Sequence, residues 1–261
     1  MASTNGIFRD KVVWVTGAGT GIGRATALMF AAGEARVALF GRRREALEAV
    51  LAEAGGLEGG GPDSRCIAEP VDVSDRAALD AATGRVLERL GRVDFLINNA
   101  GGNARERSLR QLKPEDWDTI IAVNLTGAYN VVRATLPAMR AQGGGLIVNV
   151  SSLAGVKPSA LAGAAYSASK HGMNALSGVI NEEEWPQGIR ATALCPGEVN
   201  TPILEKRPVP VPPEKRMRMI QPEDVAATIR FLAELHPRSH VPEMVLMPVH
   251  RRQRASGEPG G

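Results

Sequence analysis

Short apolar runs alternate with longer amphipathic stretches along nearly the whole chain. Runs such as KVVWVTG (11–17) and ARVALFG (35–41) are apolar at successive positions, and a helix-like stretch follows each. Strands that are apolar on both faces belong in parallel sheets covered by helices on both sides. The sequence therefore predicts an α/β fold, a single doubly wound domain with a mostly parallel seven-stranded sheet. The predicted strands lie at 11–17, 35–41, 65–73, 93–101, 145–152, 189–197 and 243–249.

Composition narrows the class of protein. The chain has 261 residues, a net charge of +3 and a pI near 9.1. This charge permits an anionic ligand, but the basic residues are not interleaved with aromatic ones, so we expect no nucleic acid partner. Cys66 and Cys195 lack the spacing of metal ligands, so we expect no metal and a reduced, cytoplasmic setting.

From the sequence we expect no signal peptide, no membrane-spanning segment and a polar C-terminal tail. The first residues contain no apolar core of a signal peptide, and no run of 18 apolar residues occurs, so we expect no membrane association. We place the domain at 1–250. The polar tail at 251–261 is expected to be disordered, with a basic binding tail as the alternative.

A glycine-rich segment, TGAGTGIG (16–23), follows the first predicted strand and opens a helix. Glycines there let the backbone approach a pyrophosphate, and the helix N-terminus offers free N–H groups. We therefore predict a dinucleotide site, although glycines also occur in ordinary turns. The residues predicted to bind are Gly17, Thr20, Gly21, Ile22 and Gly23.

The end of the second strand indicates which dinucleotide is preferred. A carboxylate at this position would accept hydrogen bonds from a ribose 2′-hydroxyl. The chain instead reads LFGRRRE, and its first acid is Glu45. An arginine can pair with a 2′-phosphate, so the pattern favours NADP, with Arg42 as the leading contact and NAD as the other possibility. Alternatively, the arginines are solvent-exposed side chains at the start of a helix.

Three later strands each end in a polar motif: NNAG (98–101), NVSS (149–152) and CPGEVNTP (195–202). The carboxyl ends of parallel strands share one edge, where ligands bind in open α/β sheets. We expect these motifs to converge beside the glycine-rich segment.

With VNLTG (123–127) and YSASK (166–170), these motifs resemble the short-chain dehydrogenase/reductase family, in the family's order, over about residues 10–248. The resemblance implies a Rossmann domain, a small-molecule substrate and a homodimer or homotetramer. It implies a catalytic tetrad of Asn124, Ser152, Tyr166 and Lys170. The cofactor contacts it implies are Asp72, Val73, Asn99, Ala100, Gly101, Tyr166, Lys170, Pro196, Gly197, Val199 and Thr201.

The spacing of Tyr166 and Lys170 supports a chemical role. Residues at i and i+4 share one helix face, so the pair is either a solvated surface pair or a proton-transferring one. An ammonium about 4 Å from a phenol, at an effective dielectric of 20, is worth roughly 4 kcal/mol. That would lower the tyrosine pKa by about three, before desolvation opposes it.

The same resemblance implies that the segment 198–220, here called the lid, covers the substrate. It carries several basic residues, so we predict either a solvated basic loop or a clamp for a substrate carboxylate or phosphate. The C-terminal part is similar to the family members that oxidise serine and other 3-hydroxy acids with NADP. The alternatives are a 3-oxoacyl-carrier-protein reductase, a broad ketone reductase, or a non-catalytic NADP-binding regulatory module. Trp117 and Trp185 are predicted to pack as anchors.

Overall fold

The structure, a computed structural model, describes residues 6–55 and 65–250. The predicted tail at 251–261 lies outside the described residues. The strands are β1 Val12–Thr16, β2 Arg36–Gly41, β3 Cys66–Pro70, β4 Phe95–Asn98, β5 Gly145–Val150, β6 Ile189–Pro196 and β7 Glu243–Leu246. The helices are α1 Gly21–Ala32, α2 Arg44–Glu53, α3 Arg76–Leu90, α4 Pro114–Ile121, α5 Gly127–Ala141, α6 Ala164–Glu184, α7 Pro213–Arg216 and α8 Pro222–Glu234.

The seven strands form one sheet in the order β3-β2-β1-β4-β5-β6-β7. Every neighbouring pair is parallel, so the predicted doubly wound sheet is confirmed. The strand order reverses between β1 and β4, which is where open α/β sheets bind ligands. β3 ends at Pro70, three residues earlier than predicted.

Alternate residues of strands such as β1, β2 and β5 enter two different hydrophobic cores, so both faces of the sheet are covered there, whereas the edge strand β7 packs on one face only. Val13 and Val15 of β1 pack with α1, α2 and α8 through residues such as Phe30. Val12 and Trp14 pack on the opposite face with α3, α5 and α6. The continuous apolar pattern of β1 follows from this two-sided burial.

The predicted helical region after β4 is interrupted by a π-helical turn. α4 runs directly into this turn at Ala122–Thr126, which then continues as α5. Such π turns occur mostly as single turns within α-helices, often at functional sites. This one places Asn124 against the carboxyl edge of the sheet.

Within residues 6–55 and 65–250, no helix has the length and apolarity needed to cross a membrane. In the same residues, no three histidine, cysteine, aspartate or glutamate side chains are grouped so that they could hold a metal ion.

Candidate active site

The glycine-rich segment forms a tight turn between β1 and α1. A Cβ atom on Gly23 would lie 2.2 Å from the carbonyl oxygen of Gly17, so only glycine fits there. Gly17 and Gly21 have φ values of 63° and 54°, in the left-handed region that favours glycine. The helix then begins at Gly21 with no side-chain cap from Thr20 and no acid in its first turn. Its N-terminus therefore keeps N–H groups and a positive dipole end for an anion, which fits a pyrophosphate.

Asn99 fixes this turn from the end of β4. Its side-chain amide donates to the carbonyl oxygens of Thr16 (3.1 Å) and Gly17 (3.4 Å). The hydroxyl of Thr16 in turn accepts from the backbone N–H groups of Asn99 and Ala100, both at 2.9 Å. The NNAG motif and the glycine turn are thus brought together, as expected.

The arginine predicted to meet a 2′-phosphate lies at the same edge. Arg42 is exposed after β2, and its Nη1 atom lies 3.8 Å from a carboxylate oxygen of Asp72. The other oxygen of Asp72 accepts from the backbone N–H (2.9 Å) and hydroxyl (2.7 Å) of Ser74. Val73 is buried beneath, against Gly127. The weak Arg42–Asp72 contact leaves most donors of the guanidinium available for an anion.

Asn124 is fully buried on the π turn and connects two segments of the site. Its side-chain oxygen accepts from the N–H of Gly102 at 2.8 Å, and its amide donates to the carbonyl oxygen of Gly102 at 3.0 Å. The amide also lies 3.1 Å from the hydroxyl of Ser169 on α6. A Cβ on Gly101 would come within 3.2 Å of Asn124 and 3.8 Å of the Lys170 ammonium. Asn124, Gly101 and Lys170 therefore lie together.

Tyr166 is in the first turn of α6 and is hydrogen-bonded by Ser152, which follows β5. Burial raises the pKa of the phenol, while the hydrogen bond from Ser152 and the positive charge of Arg107 act in the opposite direction. The hydroxyl of Ser152 also accepts from the N–H of Ala154 at 3.1 Å, which holds it at the start of a short 3-10 turn. The phenol and this serine are thus positioned to share one substrate oxygen.

Lys170 is buried, with 3% of its surface exposed, and its ammonium lies 5.7 Å from the centre of the Tyr166 ring. The ammonium donates to the carbonyl oxygen of Val150 at 2.8 Å. Burial lowers the pKa of Lys170 to about 8. The prediction from the i, i+4 spacing that Lys170 lowers the pKa of Tyr166 was wrong: burial raises the pKa of the phenol, and Ser152 and Arg107 are the groups that favour the phenolate.

The end of β6 completes the edge. Pro196 is the last residue of the strand, and the N–H of Gly197 donates to Leu246 of β7 at 2.8 Å. Val199 is buried and forms a parallel bridge with Ile220, which closes the base of the lid. The methyl group of Thr201 lies beside Gly21. A Cβ atom placed on Gly21 would be 3.1 Å from that methyl carbon. The β6 motif thus contacts the glycine turn.

Two predictions about individual side chains need correction or refinement. Trp185 is 71% exposed and Trp117 is 38% exposed, so neither packs as a buried anchor. Trp185 follows the last turn of α6 in a 3-10 turn, which directs it away from both cores. In the lid, Arg207 is paired with Glu198 at 2.7 Å. Burial lowers the pKa of the neighbouring Arg107, and the positive charge of Arg207 still lowers it further.

One residue of the site is absent from the sequence-based set. Arg107, in the segment after β4, is only 8% exposed and its charge acts on Tyr166. In the sequence it is one of three arginines in NARERSLR (103–110), and nothing in the pattern separates it from the exposed Arg105 and Arg110.

The family model for short-chain dehydrogenases matches residues 11–209. The chain belongs to the short-chain dehydrogenase/reductase family. It is an NAD(P)-dependent oxidoreductase of this family, a class that acts on CH–OH or carbonyl groups.

Named relatives of this dehydrogenase act on different compounds. The chain is 37% identical to a 3-oxoacyl-(acyl-carrier-protein) reductase of Thermotoga maritima, over 85% of this chain and 90% of that protein. It is 34% identical to a D-beta-hydroxybutyrate dehydrogenase of Rhizobium meliloti, over 82% of this chain and 80% of that protein.

Solved structures of relatives contain either dinucleotide. A metagenomic short-chain oxidoreductase in complex with NADP is 36% identical, with a TM-score of 0.78 over 93% of this chain and 99% of that one. A short-chain dehydrogenase of Mycobacterium paratuberculosis bound to NAD is 26% identical, with a TM-score of 0.79 over 92% and 97%.

Proposed function

We propose that the protein moves a hydride between NADP(H) and a secondary alcohol or its ketone, with a 3-hydroxy acid as the substrate class. The observation that carries this proposal is the grouping around Tyr166. Its phenol is hydrogen-bonded by Ser152, lies one helical turn before the buried Lys170, and stands at the sheet edge that holds the glycine turn.

The dinucleotide, when bound, supplies or accepts the hydride. The residues predicted to hold it are those of the glycine turn, the NNAG motif, Asp72, Val73 and the end of β6. Tyr166 exchanges the proton with the substrate oxygen, because oxidation of an alcohol needs a base and reduction of a ketone needs an acid. Ser152 orients that oxygen by a hydrogen bond.

Lys170 and Asn124 act behind the phenol in this proposal. The ammonium of Lys170, 5.7 Å from the centre of the Tyr166 ring, binds the cofactor. Asn124 holds Gly102 in place and positions a water that connects Lys170 to solvent. The buried amide of Asn124 and the nearby Lys170 ammonium support this role, since both are polar groups turned towards the same small region beside Gly101.

The preference for NADP rests on Arg42. The end of β2 carries no carboxylate, and Arg42 is exposed with only the 3.8 Å contact to Asp72. Thr20 replaces the basic residue that NADP-dependent family members often carry in the glycine turn, so Arg42 is the main source of the preference. NAD is the second candidate for the same site.

Two substrate classes fit the relatives. D-beta-hydroxybutyrate is a free 3-hydroxy acid, and a 3-oxoacyl-carrier-protein is a thioester of the corresponding oxo acid, so the two differ in charge next to the reacting carbon. A ketone without an acyl group is the third possibility. The free acid is favoured by the positive charge close to Tyr166, to which Arg107 contributes.

The test uses both tyrosines of the chain. Tyr166→Phe should lower kcat about 1,000-fold, within the usual range for loss of an acid–base group, while NADPH binding changes little. Tyr129→Phe is the matched control, because Tyr129 is 45% exposed on α5 and should leave turnover unchanged. If Tyr166→Phe keeps its turnover, the proposed function is wrong. A regulatory module without turnover would show no oxidoreductase activity even in the unmodified protein.

We also propose a homo-oligomer. Large apolar side chains are exposed on α5 and α6, where Tyr129 is 45% and Val179 51% exposed. Light scattering after size exclusion should give a mass of two or four chains, and a mass of one chain would contradict the proposal.

A further inference from the structure

Arg107 carries a buried charge without a carboxylate partner. Its Nη1 atom donates to the carbonyl oxygen of Leu161 at 3.3 Å, and Nη2 donates to that of Lys206 at 2.6 Å. Its Nε atom is buried and has no hydrogen-bond partner. Among residues 6–55 and 65–250, no carboxylate lies within ion-pair distance of this guanidinium. A buried cation without a carboxylate partner destabilises the folded protein unless an anion binds beside it.

Two other arginines that bind carbonyl oxygens show how unusual this placement is. Arg36 donates to the carbonyl oxygens of Arg89 and Leu90, at the end of α3. Arg190 donates to the carbonyl oxygens of Leu235 and His236, at the end of α8. Both cations therefore lie at the negative end of a helix dipole, which compensates their charge.

The stem of Arg107 lies instead beside the N-terminus of α6, and only its Nη2 atom reaches a carboxyl end, that of the short 3-10 turn Pro202–Lys206. A Cβ atom on Gly163 would fall 2.7 Å from the Cβ of Arg107, so the arginine stem packs on the residue that precedes α6. α6 has 21 residues, no acid in its first turn and no side-chain cap. A helix N-terminus is positive, and the guanidinium adds a second positive charge. Gly163, on which the arginine stem packs, is three residues before Tyr166 in the chain.

We propose that Arg107 is the specificity-determining residue that binds the carboxylate of a 3-hydroxy or 3-oxo acid, through its unpartnered Nε and beside the N-terminus of α6. This inference rests on the proposed function and names the substrate charge that the same site selects. The carboxylate carbon of such an acid is two bonds from the carbon that carries the reacting oxygen. The group that binds the carboxylate must therefore stand close to Tyr166, and Arg107 does.

The basic residues of the lid are less suited to this role. Arg207 is paired with Glu198, and the side chains of Lys206, Lys215 and Arg218 are exposed. Lys206 contributes its carbonyl oxygen to Arg107, which ties the lid to the arginine through the backbone. The carboxylate is thus bound beneath the lid, by a residue from the segment after β4.

The same guanidinium also favours the phenolate of Tyr166, because its positive charge lowers the pKa of that group. Removing the charge would affect every substrate through the phenol, but only anionic substrates through lost binding. The ratio of the two kinds of substrate separates these effects.

The experiment compares 3-oxobutanoate with its methyl ester, which has the same reacting ketone and no charge. In Arg107→Gln, kcat/KM for the acid should fall at least about 30-fold further than kcat/KM for the ester, since truncating a buried charge contact is costly. Arg107→Lys should restore part of the preference, because it retains the charge. Arg190→Gln, which removes a carbonyl-bound arginine outside the site, should change both substrates equally. Equal losses for acid and ester in Arg107→Gln would show a structural role only and overturn the proposal.

A binding measurement tests the proposal independently of turnover and of the variant's folding. In the unmodified protein, calorimetry should show butanoate binding at least about tenfold more tightly than butanamide, which has a similar shape and no charge. Equal affinities would overturn the proposal. If butanoate binds selectively but no substrate is reduced, the proposed function fails and the anion site stands. If ester and acid are reduced equally well, the proposed function stands and the role of Arg107 fails.

Discussion

The two halves of the active site differ in how fully their polar groups are paired. In the cofactor half, residues 16–23 and 98–101, Thr16 and Asn99 hold one another and the turn through four hydrogen bonds. In the substrate half, residues 102–110, 153–163 and the lid, Arg107 has a buried Nε without a partner and lies near the uncapped start of α6. The side chains of the cofactor half are paired within the protein and leave backbone N–H groups of α1 for a ligand, whereas the substrate half leaves a buried side-chain donor for one.

We infer from this difference how the two ligands are selected. A dinucleotide is recognised by a backbone surface that only glycine permits. The side-chain hydrogen bonds in this half therefore keep that backbone rigid. A substrate is recognised by charge and polar groups that the chain does not satisfy itself. Changes to the first half should act on cofactor affinity, and changes to the second half should act on substrate choice.

The largest effect on cofactor affinity is expected at Gly23. In Gly23→Ala, the added methyl group would lie 2.2 Å from the carbonyl oxygen of Gly17, so the turn must open. We expect NADPH affinity to fall at least about 100-fold, which corresponds to about 2.7 kcal/mol, as measured by fluorescence titration. Gly84→Ala on α3 has open space around it and serves as the control. A Gly23→Ala protein with unchanged affinity would show that the turn does not hold the cofactor.

Burial of the Lys170 ammonium should lower the free energy of unfolding at neutral pH. Its pKa is lowered to about 8 by burial, so between about pH 8 and 10.5 the folded protein binds fewer protons than the unfolded chain. The contribution of Lys170 to the free energy of unfolding should therefore rise with pH in this window. Burial raises the pKa values of Cys66, Cys195 and Tyr166, and these groups contribute in the opposite direction in both proteins compared. Lys170→Met should abolish the rise and increase the free energy of unfolding at pH 7 by about 2 kcal/mol, after about 1 kcal/mol is lost with the hydrogen bond to Val150.

Urea unfolding at pH 7 and pH 10 measures this effect, and the exposed Lys157→Met is the control. If Lys170→Met is less stable than the unmodified protein at pH 7, the buried ammonium is compensated more fully than its surroundings indicate. Turnover should be lost in Lys170→Met even though stability increases.

The smallest effect is expected at Arg42. Arg42→Gln should weaken NADPH binding about tenfold and leave NADH binding nearly unchanged, because an exposed arginine–phosphate pair is partly screened by solvent. Arg230→Gln on α8, which breaks the pair with Glu234, is the control. Equal losses for NADPH and NADH would place the 2′-phosphate elsewhere.

The fold could be read from the sequence because its main signals are local. Continuous apolar strands such as Val12–Thr16 and glycines at forced turns determine the sheet and the cofactor side, and the strand assignments were confirmed. The catalytic and cofactor roles of the named residues stay predictions, although the structure brings Ser152, Tyr166, Asn124 and Lys170 to one edge.

Other features depend on long-range contacts and could not be read locally. The burial of Arg107 results from carbonyl groups 54 and 99 residues away in the chain. The prediction that Trp185 is packed was wrong because its position depends on how α6 ends, in a 3-10 turn outside the cores. Likewise, Arg207 carries a basic side chain that the sequence offers as a clamp, and only the folded protein shows its pair with Glu198.

A double-mutant cycle between Arg42→Gln and Arg107→Gln tests the separation of the two halves most directly. NADPH affinity and the ratio of kcat/KM for 3-oxobutanoate and its methyl ester are measured in all four proteins. We predict that Arg42→Gln changes only the first quantity, that Arg107→Gln changes only the second, and that the effects add within about 0.5 kcal/mol. A larger coupling energy, or a change in the acid-to-ester ratio in Arg42→Gln alone, would contradict independent cofactor and substrate halves.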